Sequence, residues 1–318
     1  MRRNHTIGAF AANRLCPEWF GRTGPDAPIA GMNAVGLRLK SQFPILTLTV
    51  LAAILLMAAG SPSALAQGRL DARYTVTLAG IKLGDGSWQV DVRDDRFSAT
   101  ASGSSAGLAR MFSSGTGTTR SRGAVRNNRF VPDDYTVSLK WGRRKSEDLR
   151  MKMDGGHVKD VSIEPPRPDH PNRVKVTDAH RRNVLDPMTG SLLRVPGKGD
   201  LMAPQVCEQQ TPVFDGQMRY DLKMAYKRIE QVKVEGYSGP ALVCALYFAP
   251  LAGHIPDRKG VKYLVEQRDM ETWLIPLAGT RVMIPFRVVV PTPLGQGILQ
   301  ATALNMSPVP SRASLQTD

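Results

Sequence analysis

Short alternations of apolar and polar residues dominate the chain from about residue 70 onward. The clearest runs are Tyr74, Val76, Leu78 and, further along, Tyr220, Leu222, Met224, Tyr226. A period of two places every second side chain on the same face of a β-strand. Turn signals such as Asp85-Gly86 and Asn127-Asn128 separate the runs at the short intervals typical of antiparallel hairpins. Further strands are predicted over residues 219–230, 241–249, 262–275 and 280–290.

Residues 164–204 interrupt this pattern with seven prolines. Proline lacks the N–H that a central strand needs, so this segment is predicted to be a long connection across the sheet. Asp186 followed by Pro187 is a favourable helix start and predicts a short helix there. The sequence therefore predicts an all-β fold, a single large antiparallel curled sheet or open β-barrel of about ten to thirteen strands with a Pro-rich, partly helical insertion.

An apolar run at residues 43–59 has the features of a secretory signal. Arg38 and Lys40 precede it, and the small-residue site Ala64-Leu65-Ala66 follows. A positive flank, an apolar stretch and a cleavage site in this order predict export to the periplasm with cleavage after Ala66. An uncleaved membrane anchor is the alternative, although the run is slightly shorter than the roughly 20 residues of a spanning helix.

The residues before this signal do not fit it, because they are polar and rich in proline and glycine. A misassigned start, with Met32 as the true first residue, explains them most simply. The predicted organisation is a misassigned leader (1–31), a signal peptide (32–66), a β-rich domain (67–306) and a polar tail expected to be disordered (307–318).

The chain is strongly basic, with a formal net charge of +14, and only six of its 42 Lys and Arg residues lie in residues 1–66. An exported protein rarely meets nucleic acid, so the anionic partners to expect are lipopolysaccharide, acidic phospholipid or peptidoglycan. A charge that serves only solubility is the alternative. Arg143, Arg144 and Lys145 directly follow Trp141 and Gly142. They form a candidate anionic contact and also have the pattern of a hairpin tip.

Two cysteines remain after the predicted signal, Cys207 and Cys244. In an oxidising compartment such a pair predicts one disulfide. A reactive or metal-binding pair is the alternative, but no Cys-x-x-Cys spacing occurs. We expect neither a metal site nor a cofactor.

Residues 103–107 match the Gly-x-Ser-x-Gly pattern of a hydrolase nucleophile, centred on Ser105. That motif needs a strand before it and a helix after it, and the stretch that follows is too short for the helix. His180, Asp186 and His254 are the other acid–base candidates, without supporting spacing. We therefore expect no enzymatic activity and no catalytic residue, with a serine hydrolase using Ser105 as an alternative.

Several longer segments resemble one family of exported proteobacterial proteins. They are GLARMF (107–112), VTDAHRR (176–182), LDP (185–187), VFDG (213–216), GYSGP (236–240) and TPLG (292–295). The family is the domain of unknown function 3108, and the resemblance covers residues 74–303. It implies an envelope protein with one β-rich domain and no catalytic residues to transfer, and Cys207 and Cys244 fall at the family's cysteine positions.

The predicted architecture also resembles the open barrels of periplasmic lipid and lipoprotein carriers, an analogy of fold only. The expected function is that of a non-enzymatic cell-envelope protein that binds a lipidic or otherwise amphipathic component. The candidate apolar face combines the two alternating runs, Tyr74, Val76, Leu78 and Tyr220, Leu222, Met224, Tyr226. The alternative is a structural or interaction protein that binds peptidoglycan or an envelope partner through its basic surface.

Overall fold

The computed structural model describes residues 67–107, 114–142 and 145–309. These residues contain fourteen strands: β1 (Gly68–Leu78), β2 (Ile81–Val92), β3 (Arg96–Ser105), β4 (Gly115–Arg126), β5 (Arg129–Trp141), β6 (Lys145–Asp154), β7 (His157–Glu164), β8 (Leu193–Arg194), β9 (Gln210–Phe214), β10 (Arg219–Val234), β11 (Tyr237–Ala252), β12 (Glu271–Pro276), β13 (Val282–Thr292) and β14 (Gly295–Pro308). Two α-helices, α1 (Pro187–Gly190) and α2 (Lys259–Glu266), and two 3-10 helices, Asp178–Arg181 and Pro204–Cys207, complete the elements.

All the strands belong to one antiparallel sheet, which confirms the predicted fold class. The order is β7-β6-β5-β4-β3-β2-β1-β14-β13-β12-β11-β10-β9, and the short β8 pairs with β13. Most neighbours in this order are also neighbours in sequence, as hairpins require. The first and last strands of the domain, β1 and β14, pair along their whole length and join the two halves of the sheet.

The alternation seen in the sequence determines which face of each strand is buried. In β1, Leu70, Ala72 and Tyr74 are buried and the residues between them are exposed. The main core gathers such residues from most strands on one face of the curled sheet, here called the inner face.

The sheet does not close on itself, and the connection (residues 165–209) covers the gap between its edge strands β7 and β9. The amide of Leu185 donates to the carbonyl of Pro212 in β9, and the amide of Phe214 donates back to Leu185, each at 2.9 Å. On the other side, the amide of Val184 donates to the carbonyl of Gly156 in the β6–β7 turn at 3.0 Å. The connection thereby satisfies backbone groups that an open edge would leave exposed.

The helix predicted from Asp186 and Pro187 is α1. The Asp186 side chain accepts hydrogen bonds from the amides of Met188 and Thr189, as an N-cap does, and Pro187 is the first helical residue. Met188 and the following Leu192 are buried in the main core, so α1 lies on the inner face of the sheet.

A second, smaller core lies on the opposite face of β11–β13. Along β12 and β13 successive residues alternate between the two cores: Ile275 and Ile284 belong to the main one, and Leu274 and Met283 to the second. The connection supplies the cover, including Leu193 and Val206.

Three details differ from the sequence-based expectation. Residues 259–266 form α2, whereas a single strand was expected over 262–275; Val261 and Leu264, three residues apart, are half-buried on one side of this helix. The sheet has fourteen strands because the connection adds β8. The last strand, β14, continues to Pro308, two residues into the predicted tail. The predicted leader and signal peptide lie outside the described residues.

Candidate functional site

An apolar cleft of about 380 Å³ opens on the inner face of the sheet. Strands β1, β2 and β3 form one wall, β13 and β14 the other, and α1 and the residue after it the floor. The lining residues are Tyr74, Val76, Gly84, Asp85, Gly86, Ser87, Trp88, Ala101, Ser102, Gly103, Ser104, Met188, Ser191, Pro285 and Leu299.

A row of glycines leaves this space empty. In the sheet, Tyr74 pairs with Gly86, Gly86 with Gly103, and Gly103 with Gly117, so three adjacent strands present no side chain at this level. At Gly86 a Cβ atom would come within 2.9 Å of the Ser102 carbonyl oxygen, so the strands approach too closely for a larger residue. At Gly103 a Cβ would lie 3.5 Å from its nearest neighbour, which is ordinary contact. Protein interiors are normally close-packed, so a gap of this size has to be built by residues without side chains.

Two aromatic residues form the rigid part of the wall. The Tyr74 hydroxyl donates a 2.6 Å hydrogen bond to the carbonyl of Pro285, which ties β1 to β13 across β14. Burial raises the pKa of the Tyr74 hydroxyl, so it stays protonated as a donor. The Trp88 ring lies 6.4 Å from the Tyr74 ring, centroid to centroid, in a tilted arrangement. Together they fix the deep end of the cleft.

A buried carboxylate holds the floor in place. Asp186 accepts hydrogen bonds from Ser121 of β4 at 2.8 Å, from the Thr189 hydroxyl at 2.6 Å and from two amides of α1. Burial raises the pKa of this carboxyl group, while these donors act in the opposite direction. Because all the donors favour an acceptor at this position, Asp186 fixes α1 on the inner face and Met188 beneath the cleft.

The side chains that alternate with the lining positions on β2 and β3 are polar and lie on the opposite face of the sheet. On that face Asp85 forms an ion pair with Lys82 at 2.8 Å, and this contact is the main cause of the lowered pKa of Asp85. The Ser87 and Ser102 hydroxyls lie 2.9 Å apart and hydrogen-bond to each other. A shallow hollow bounded by Leu139 and Trp141 of β5 adjoins the cleft, sharing Gly103 and Ser104 with it.

The structure divides the predicted apolar face into separate places. Only Tyr74 and Val76 line the cleft; Leu78, at the end of β1, is half-buried outside it. The four residues on β10 lie elsewhere. Tyr220 packs against Phe248, and Leu222 is half-buried. Met224 packs on the second core, and Tyr226 is exposed and pairs with Cys244 of β11. Alternation along a strand specifies which of its residues share a face, but not which strands meet, and five pairings separate β1 from β10.

Cys207 and Cys244 are brought together, as predicted. Their Cα atoms lie 5.5 Å apart and the sulfur atoms are within bonding distance. Cys207 ends the second 3-10 helix and Cys244 lies in β11, so the bond attaches the connection to the outer side of the sheet.

The candidate anionic contact is only partly described. Lys145 is exposed at the start of β6 and pairs with Trp141, while Arg143 and Arg144 lie outside the described residues. The predicted hairpin tip is confirmed, because β5 ends at Trp141 and β6 begins at Lys145.

The acid–base candidates do not come together. Ser105 is the last residue of β3, and its hydroxyl accepts a 2.7 Å hydrogen bond from the amide of Gly115. His180 contacts Thr177, and His254 lies after β11, while Asp186 holds α1. Within the described residues, no group of three His, Cys, Asp or Glu side chains has the arrangement of a metal site. None of the helices in this part of the chain is both long and apolar enough to span a membrane.

Comparisons with known proteins give a family but no activity. Among solved structures, the chain is similar to a crystal structure of a beta-barrel-like protein of domain of unknown function DUF1849 from Brucella abortus, with 9% sequence identity and a TM-score of 0.41, over 75% of this chain and 98% of that one. No curated protein matches the sequence. The family described as "Protein of unknown function (DUF3108)" matches residues 73–302, and the chain therefore belongs to the DUF3108 family.

Proposed function

We propose that this chain is an exported, non-enzymatic protein of the bacterial cell envelope that holds the apolar part of a lipid or other amphipathic molecule in its cleft. The observation that carries the proposal is the apolar cleft itself, about 380 Å³ in volume and walled by Tyr74, Trp88 and Leu299. Small-molecule pockets typically measure about 300–1,000 Å³ and are lined mainly by apolar and aromatic groups. This cleft is at the lower end, which suits one acyl chain or one compact apolar group.

The chemistry of the walls favours an apolar guest. Met188 on the floor has a flexible thioether that adapts to varied shapes. The polar side chains nearby, Asp85 and the Ser87–Ser102 pair, lie on the opposite face of β2 and β3, so the wall of the cleft itself is apolar. An amphipathic molecule would place its apolar tail inside the cleft and leave its polar end in the solvent at the mouth.

Filling the cleft tests the proposal. In Gly103→Leu the new Cβ fits beside the Asp85 carbonyl at 3.5 Å, and the leucine side chain then occupies the cleft. We expect at least a tenfold weaker affinity, about 1.4 kcal/mol, for a fluorescent fatty-acid probe, and loss of any lipid retained in native mass spectrometry. The matched control is Ser98→Leu, which adds the same side chain on the exposed face of the same strand.

The stability of the same variants makes the result decisive. A glycine inside a strand is unfavourable, so Gly103→Leu is expected to keep or raise the melting temperature while the probe is lost. Unchanged probe affinity in a folded Gly103→Leu protein would contradict lipid binding in this cleft, as would a wild-type protein that binds no probe.

Export is part of the proposal and has its own test. Cell fractionation should find the protein in the periplasm with Gln67 as its first residue. Met32→Ala should abolish the exported product and Met1→Ala should not. A product that stays in the cytoplasm, or one that keeps residues 43–59, would contradict this part.

A hollow of about 750 Å³, lined by both apolar and polar residues, supports the second candidate, an envelope protein that binds peptidoglycan or a similar polymer. It lies at the other end of the sheet, and Arg194, Asn128 and Gln210 are among its polar lining residues. Arg194 stacks on Phe130 and donates to Asn128 at 2.7 Å, an arrangement suited to polar groups. This function would be favoured if wild type bound muropeptides, Arg194→Ala abolished that binding, and wild type did not bind the acyl probe.

The hydrolase alternative is tested with Ser105→Ala. Because the Ser105 hydroxyl contacts the backbone of Gly115, we expect this variant to bind the probe like wild type and to rescue a knockout strain. Loss of rescue at normal protein levels would support catalysis.

A further inference from the structure

Three hairpin ends lie together at the end of the sheet where the cleft opens. Strand β1 ends at Leu78, paired with both Ile81 of β2 and Gly297 of β14. The β13–β14 turn, which contains Leu294, is therefore beside the β1–β2 turn. In β3–β5, Gly103 pairs with Gly117 and Gly117 with Leu139, which brings the β5–β6 turn to the same end.

Large apolar residues are exposed at this end, here called the rim and defined by Val76, Ile81, Leu139, Trp141 and Leu294. Leu294 is 74% exposed and Ile81 51% exposed, although turns usually carry polar residues. Of the nine large apolar residues that are exposed in the described part of the chain, five belong to the rim. Clusters of this kind mark interaction sites.

The rim is continuous with the cleft. Val76 lines the cleft, while Leu139 and Trp141 line the adjoining hollow, which shares Gly103 and Ser104 with it. An apolar chain could pass from the plane of the rim into the cleft along apolar surface. Basic residues flank this path, because Lys140 and Lys145 are both exposed at the β5–β6 hairpin.

We infer that the rim docks on the surface of a lipid bilayer that contains anionic lipids, with the mouth of the cleft facing the headgroups. This rests on the proposed function of the cleft. Exposed Leu and Ile side chains on separate turns can each insert among headgroups, and a tryptophan is favoured at that depth. Lys140 and Lys145 are attracted to the anionic surface. A protein partner would need a complementary surface, whereas a fluid bilayer accepts separate protruding side chains.

Co-sedimentation with vesicles tests the docking. The protein should pellet with vesicles of phosphatidylethanolamine and phosphatidylglycerol, and at least fivefold less with phosphatidylcholine alone. The double variant Ile81→Asp, Leu294→Asp should partition at least tenfold less. Ile229→Asp is the matched control, since Ile229 is 44% exposed in the middle of β10, and it should pellet like wild type.

The charge contribution has a separate variant. Lys140→Glu combined with Lys145→Glu should remove most of the protein's preference for vesicles that contain phosphatidylglycerol. Vesicle binding by this variant should also be weakened little by 0.5 M salt, which is about three times the ionic strength at which the Debye length is about 8 Å. A salt-insensitive preference that persists in this variant would overturn the electrostatic part of the inference.

Combining these variants with the acyl probe distinguishes this inference from the proposed function. The rim variant should no longer bind vesicles but should still bind the acyl probe. Gly103→Leu should no longer bind the probe but should still bind vesicles. Vesicle binding without probe binding by wild type would refute the lipid-holding cleft and leave docking in place. Docking through the rim would be overturned if the rim variant pelleted with vesicles as well as wild type does. It would also be overturned if Gly103→Leu abolished pelleting with vesicles.

Discussion

Asp186 and Ser121, 65 residues apart in the sequence, are joined by a hydrogen bond of 2.8 Å between the serine hydroxyl and a fully buried carboxylate. This contact attaches the connection to the inner face of β4. It therefore determines where α1 lies, and with it the depth of the cleft above Met188.

Removing the Asp186 carboxylate should destabilise the protein. Asp186→Ala takes away an N-cap and leaves the buried Ser121 and Thr189 hydroxyls without their acceptor. We expect a loss of about 3 kcal/mol in the free energy of unfolding, measured by urea denaturation at pH 7. Asp186→Asn, which keeps the shape and one acceptor oxygen, should lose less. Equal stability of Asp186→Ala and wild type would show that α1 is not held by this carboxylate.

The helix at Asp186 was predictable because its signals are local. An N-cap and a proline at the first helical position determine its start whatever surrounds them. The helix α2 was missed because the apolar residues of 261–275 resemble a strand, and only the spacing of Val261 and Leu264 indicates a helical turn.

The cleft could be predicted only in part. Alternation identifies Tyr74 and Val76 as residues of one face. The other lining residues, on β13, β14 and α1, lie more than a hundred residues further along the sequence. A usable signal was nevertheless present, since glycines recur at alternate positions in β2, at Gly84 and Gly86, and again at Gly103 and Gly117. Glycines in strand interiors mark bends or places where another group approaches. Their alignment across the sheet depends on register, which the sequence pattern alone does not provide.

A glycine in the β10–β11 turn should be irreplaceable. Gly236 has a φ of +79°, and a Cβ there would lie 1.7 Å from the Leu304 carbonyl oxygen. Gly236→Ala must therefore displace the turn from β14, and we expect a loss of at least about 3 kcal/mol in urea unfolding. The control is Gly142→Ala, with a φ of +61° but open space around it, where only the backbone strain of about 1 kcal/mol applies. Similar losses for both variants would mean that the contact with Leu304 is not tight.

The bond between Cys207 and Cys244 should contribute strongly to stability. It closes a loop with a sequence separation of 37 residues, and the chain-entropy account gives about 4 kcal/mol for a loop of this length. Dithiothreitol should lower the urea midpoint of wild type to that of the Cys207→Ser, Cys244→Ser double variant and leave the double variant unchanged. Two free thiols in protein purified from the periplasm would refute the disulfide.

Acid should weaken the protein through Glu271. Partial burial acts to raise the pKa of this group, but hydrogen bonds from Arg228, Lys227 and the Trp273 indole outweigh it and hold the pKa at about 2. A carboxyl whose pKa is lower in the folded state than in the unfolded chain stabilises the fold above the unfolded value of 4.5, and this contribution is lost as the pH falls toward 2.

Wild type should therefore exceed Glu271→Gln at pH 7 by about 3 kcal/mol at most, and by less where salt screens the partly exposed cations. The difference should narrow steadily between pH 4.5 and pH 3, because in this range the Glu271 carboxyl takes up a proton when the protein unfolds but stays ionised in the folded state, so acid favours the unfolded chain. Urea midpoints of the two proteins at pH 7, 4.5 and 3, with and without 0.5 M salt, measure this directly. A stability difference between the two proteins that stays constant from pH 7 to pH 3 would show that the three donors do not hold Glu271 ionised in solution.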